Sequence, residues 1–220
     1  MEFNFSNELN SYLEKIEKET GREIKFLESS NLGIQGISAA YQYHPEYILI
    51  ILNPDYPREA EDVERSIAHE ATHGHLIYGL GFCRTKFPEN IPDDYKRDAQ
   101  LVLTMVEDIV VNRIIAENGF PPYGHEYLPM VEEETRVASL GEEAGEEFYQ
   151  KFADTPHREA LLMISRYVIA WGFLKYYTLK KNDSELIREF TNSFKEYYKD
   201  YYKFASKIVG ILKEKDIFHA

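Results

Sequence analysis

His69 and His73 stand four residues apart with Glu70 between them, inside a stretch whose apolar residues recur at helical spacing. On a helix, positions four apart share a face, so both imidazoles point the same way. At about 100° per residue, Val63, Ile67, Ala71, Gly74 and Tyr78 gather on a different flank. Such a helix offers one side to a core and another to a cleft. Asn53-Pro54-Asp55-Tyr56-Pro57 breaks regular structure ahead of it, acidic residues crowd its first turn, and Gly79 and Gly81 follow its end. The spacing predicts a helix over residues 58–78.

Two imidazoles at this spacing suit a zinc ion. Glu70 is too far round the helix to complete a tight tetrahedral site with both, but it can take a proton from a zinc-activated water. Zinc lowers the pKa of such a water toward about 7, and Glu70 would pass the proton on to a leaving amine. A run of this form arises by chance on the order of a few times per hundred chains of this composition, before helical context is required. The competing reading is a pair of surface histidines on an ordinary helix.

Around this helix the pattern is that of an α+β chain. Phe5, Leu9, Tyr12, Leu13 and Ile16 predict an opening amphipathic helix stopped at Gly21. Residues 23–27, 34–43 and 47–52 are rich in β-branched and aromatic side chains and are separated by turn formers, which predicts a small, mainly antiparallel sheet. The run 47–52 lacks strict alternation, so it suits either a buried strand or an edge that an extended peptide could join. A second strong helix is expected over residues 94–117, closed by Asn118-Gly119, and then a proline-rich loop over 120–129. From residue 142 onward the chain reads as helical, in segments 142–153, 157–181 and 184–214, with Asn182-Asp183-Ser184 as a break and cap. The expected organisation is a single domain over 1–220, with a core to about residue 130 and a helical extension over 131–220.

A third histidine six residues beyond His73 would mark a metzincin, and that position is Gly79. With its His-Glu-x-x-His run and the acidic helix downstream, the sequence instead resembles the gluzincin-like metallopeptidases, especially their small cytoplasmic minimal forms. The resemblance spans roughly residues 41–118. It implies a zincin-like α+β core, a zinc cofactor and a peptide or protein substrate. It also implies an acidic third ligand from the second helix, with Asp or Asn four residues later to orient a metal-bound histidine. Asp108 and Asn112 match that spacing, while Glu107 competes because glutamate is the family's usual ligand. Both acids lie among Leu103, Val106, Ile109, Val110 and Val111, where a bare carboxylate is costly and a cation would offset that cost.

An oxyanion formed during peptide hydrolysis needs an electrophile besides zinc. Tyr123, His125 and Tyr127, in the loop after the ligand helix, are the candidates, with loop packing as their bland alternative. His75 faces away from His69 and His73 and reads as a packed residue. His157 reads as a helix cap, and the tyrosines at 197, 198, 201 and 202 read as helix packing.

A net charge of −13 with no clustered Lys/Arg run argues against nucleic acid as a partner. No run approaches the roughly 20 apolar residues of a membrane span. The single Cys83 cannot form an internal disulfide, and the polar start lacks the features of a signal peptide, so a cytoplasmic location is expected. The leading expectation is a zinc metallopeptidase. The alternative is a non-catalytic zinc-binding sensor or interaction protein on a peptidase scaffold.

Overall fold

The computed structural model describes residues 4–30, 38–55, 60–82, 87–120, 132, 136, 164, 168, 181–197 and 199–214. Among these lie five helices and one three-stranded sheet, an α+β arrangement. The chain divides into two compact units, Met1–Lys86 with Ile114–Pro121, and Phe87–Arg113 with Pro122–Ala220.

The first unit opens with α1, Asn7–Thr20, whose Leu9, Tyr12, Leu13 and Ile16 are buried as their helical spacing requires. Ser6 caps it: its Oγ accepts the Leu9 N–H at 3.1 Å. The same serine donates its backbone N–H and its hydroxyl to the Glu64 carboxylate, at 2.6 and 2.5 Å. Gly21, at φ 64°, stops the helix in the left-handed conformation and donates to the Glu17 carbonyl.

Three strands follow: β1 (Ile24–Glu28), β2 (Ala39–Tyr43) and β3 (Ile48–Leu52). Their order in the sheet is β1-β3-β2, with β1 parallel and β2 antiparallel to β3. The sheet is therefore mixed, where the sequence suggested mainly antiparallel pairing. The cause lies in β3, whose Ile-Leu-Ile-Ile-Leu run has no polar residue to set against water. It takes the centre, with Ile48, Ile50 and Leu52 buried on one face and both edges paired, and pushes the more polar β1 and β2 outward. A central strand has no free edge, so the reading of 47–52 as a peptide-accepting edge does not hold.

Helix α2, Ala60–Tyr78, packs on α1, β2 and β3. Of the flank that the periodicity assigned to the core, Ile67, Ala71 and Gly74 are buried while Val63 and Tyr78 are half-buried, and Ala68, Thr72 and Leu76 beside them are buried as well. Gly74 is the point of closest approach: a Cβ there would lie 2.7 Å from Ile48 Cγ2 and 2.9 Å from Cγ1. The sequence Asn118-Gly119-Phe120 ends the unit. Gly119 N–H reaches the Ala116 carbonyl, Phe120 N–H reaches that of Ile115, and the Phe120 ring lies 5.4 Å from the ring of Tyr12.

Most of α3, Asp93–Glu117, belongs to the second unit, and its last residues, from Ile114, belong to the first. Also in the second unit are α4, Lys181–Tyr197, and α5, Lys199–Glu214, with Phe194, Ala205 and Val209 buried. Asn182-Asp183-Ser184, expected as a break, lies within the opening turn of α4. Short polar residues suit the first turn of a helix as well as they suit the residue before it, so their composition alone did not fix the boundary. The predicted segments 142–153 and most of 157–181 lie outside the described residues. Among the described residues no helix is long and apolar enough to cross a membrane.

Glycine 74 gives a direct stability test. Alanine is the better helix former by about 1 kcal/mol, but a methyl group overlapping the fully buried Ile48 should cost more than that, about 2 to 3 kcal/mol in overpacking. Gly74→Ala is expected to lower the unfolding free energy by a net of about 1 to 2 kcal/mol, read as a lower urea midpoint.

Candidate metal centre

The sequence of α2 divides the His-Glu-x-x-His run between two environments. Ala71 and Thr72 are fully buried, while His69, Glu70 and His73 are half-buried on another side of the helix. Thr72 holds the buried side in place: its hydroxyl donates to the Ala68 carbonyl at 2.6 Å and lies 2.7 Å from the Tyr12 hydroxyl. With the threonine proton committed to Ala68, Tyr12 is the donor of that second bond. Burial pushes the Tyr12 hydroxyl up to about 12, so it keeps its proton.

On the open side, the Nε2 atoms of His69 and His73 are 3.2 Å apart, with the rings at 68° to each other. Tetrahedral zinc with bonds of about 2.0–2.1 Å places two ligand nitrogens roughly 3.3 Å apart, so the pair already has the separation that an ion imposes. Two neutral imidazoles in a direct N–H···N bond would stand equally close. A third possible donor accompanies the pair. One carboxylate oxygen of Asp108 joins the two histidines in a group whose ligand atoms all lie within 4.8 Å of one another. Two imidazoles and a carboxylate form a donor set suited to zinc, with a fourth position left for water or substrate.

Of the two acids weighed from sequence, Asp108 is in this group and Glu107, its half-buried neighbour, is not. Asn112 follows Asp108 by one turn of α3 and is buried, 1% exposed. Tyr123, His125, Tyr127 and His157 lie outside the described residues.

Glu70 reaches the sheet. Its Oε2 accepts the backbone N–H of Tyr41 at 2.7 Å. The register explains why that N–H is available. Asn53 donates to the Ser38 carbonyl, which fixes Ser38, Ala40 and Gln42 as the residues of β2 that bond to β3. Ala39, Tyr41 and Tyr43 then point their backbone groups off the sheet edge, where Glu70 meets one of them. The ring of Tyr41 also lies nearly parallel to that of His73, 16° between planes and 6.4 Å between centroids.

Tyr41 is thus the residue of this site that sequence reasoning missed. A tyrosine in a strand carries no motif, and only the pairing of β2 beside α2 reveals its place. Two further contacts hold β2 to α2, the Ser38 to Ser66 hydroxyl bond at 2.9 Å and the stacked rings of Tyr43 and Tyr78.

His75 occupies a separate environment, as its position on the helix implied. Its Nε2 is 3.0 Å from a Glu19 carboxylate oxygen on α1, and its Nδ1 is buried with no hydrogen-bond partner among the described residues. Protonating Nδ1 would bury an unsatisfied N–H. Burial accordingly holds the imidazole below its ordinary pKa of 6.5, with Glu19 pulling the other way and Lys15 adding to the depression.

No known family, curated protein or solved structure matches this chain. The functional reading therefore rests on the chemistry of these residues.

The depressed pKa of His75 sets the sign of a pH effect. Below about 6.5 the unfolded chain binds the proton more readily than the folded one, so the stability this histidine supplies is present above that pH and lost as pH falls. The urea midpoint of the wild type should drop further between about pH 7.5 and about pH 5.5 than that of His75→Gln. Equal drops would assign the acid sensitivity to other groups.

Proposed function

We propose that this chain is a zinc-dependent metallohydrolase that cleaves peptide bonds, built on a zincin-like core, with His69, His73 and Asp108 holding the metal and Glu70 as general base. The observation that carries this reading is the 3.2 Å separation of the two histidine nitrogens, with a carboxylate completing the group. Zinc in such a three-donor setting supplies Lewis acidity and lowers the pKa of water.

The chain's own residues supply the rest. His69 and His73 present ring nitrogens from adjacent turns of one helix, so their spacing is fixed by backbone geometry rather than by a loop. Glu70 lies on the same turn as His69, and its carboxylate takes up a proton from water and returns it to the leaving amine. Before that transfer, the Tyr41 N–H holds one carboxylate oxygen at the edge of β2. Tyr123, His125 and Tyr127 remain the candidates to stabilise the oxyanion. A net charge of −13 supports a peptide or protein substrate over a polyanion.

The second reading is a zinc-binding module without catalysis. The bond from Tyr41 to Glu70 favours it, because that bond commits one oxygen of the proposed base to the fold.

Elemental analysis after dialysis against zinc tests the metal, and a quenched fluorescent peptide library tests the chemistry. One zinc per chain is expected for the wild type. His73→Ala and Asp108→Ala should each lower zinc affinity by tenfold or more, on the order of a lost ligand or its partner, while Glu107→Ala should leave it unchanged. Glu70→Gln should keep the metal and lose about 10²- to 10⁴-fold in hydrolysis, the usual share of a general base. Zinc binding without cleavage would favour the second reading, and a wild type that binds no zinc would overturn both.

A further inference from the structure

We propose that Tyr41 is a positioning residue for the metal centre, its ring fixing the plane in which the His73 imidazole presents Nε2. The inference rests on the reading of His69 and His73 as zinc ligands and goes beyond it, since it assigns a role to a residue of the sheet. A histidine ligand must hold its ring orientation as well as its position, and outer partners that restrict the ring govern metal affinity. His73 is half-buried at a helix surface with its Nε2 3.2 Å from that of His69, and an aromatic ring packed against the imidazole restricts its rotation about the bond to Cβ further. The Tyr41 ring lies 16° from parallel to it with centroids 6.4 Å apart, inside the range over which aromatic pairs attract.

Tyr41 is itself held from two sides. Its strand is paired to β3 with Tyr41 opposite Ile50, and its N–H is bonded to Glu70, three residues before His73 on α2. The N–H bond sets the distance from strand to helix at this level, and the ring then reaches the imidazole. One residue of β2 thereby meets both the proposed base and a proposed ligand, through different atoms. A side-chain substitution at Tyr41 removes the ring and leaves the backbone bond to Glu70, so the two contacts are separable by mutation.

The experiment is zinc affinity by competition with a chromogenic chelator, together with the visible spectrum of the cobalt-substituted protein. Wild type, Tyr41→Phe, Tyr41→Leu and Tyr41→Ala are compared, with circular dichroism and urea midpoints recorded for each. Tyr41→Phe should match the wild type. Tyr41→Leu, which keeps apolar bulk in the strand, should bind zinc about tenfold more weakly and alter the cobalt spectrum, with Tyr41→Ala no tighter. If Tyr41→Ala does not fold, the Leu and Phe variants decide the matter. Wild-type zinc affinity and an unchanged cobalt spectrum in folded Tyr41→Leu would overturn this inference and leave the metallohydrolase reading standing. A wild type that binds no zinc would overturn that reading and this inference with it.

Discussion

At Gly74 the backbone of α2 comes so close to the Ile48 side chain that no Cβ fits between them. That contact sets how deep the helix sits on the sheet, and the depth decides what its other residues can reach. Three residues before Gly74, Ala71 is sealed into the core, and one before it, His73 is left at the surface against Tyr41. A bulkier residue at position 74 would lift the helix and shift all of these registers together. Small residues on the buried flank and chemically active ones on the open flank are thus two aspects of a single packing solution.

The polar residues of α2 are divided in the same way. Glu64 takes the cap of α1, Ser66 meets Ser38 on the approach to β2, and Thr72 meets Tyr12 from α1. Two of these tie the helix to α1 and one to the residue before β2, and each donor is matched by an acceptor. The result is a helix that cannot rotate about its own axis without breaking several bonds at once. For a site whose two histidines lie on that helix, such restraint is the preorganisation that metal binding requires.

Much of this was legible in the sequence, for reasons that can be named. The helix period exposed α1 and α2, Gly21 marked an end that it does form, and the His-Glu-x-x-His run pointed to the candidate site. The order of the strands was not legible, because β3 becomes central only by out-competing β1 and β2 for burial, a comparison among segments that no local pattern contains. The choice between Glu107 and Asp108 was not legible either, because adjacent residues on a helix differ by about 100° in direction, which spacing from a distant motif cannot resolve. Tyr41 was beyond reach for a related reason: its contribution depends on which edge of the sheet adjoins α2.

An exposed sheet edge invites a second chain to add to it, and proteins blunt such edges with charge. At β1, Lys25 and Glu28 of the strand and Glu23 just before it do this through their own side chains, with Glu23 and Lys25 paired at 3.3 Å. On β2 the charge comes from outside the sheet, because the Glu70 carboxylate occupies the outward N–H of Tyr41. The same acid that is proposed to move protons therefore also covers a donor on the sheet edge, so two demands fall on one side chain. A side chain under both would be harder to replace than either demand alone implies, even in a descendant that had given up hydrolysis.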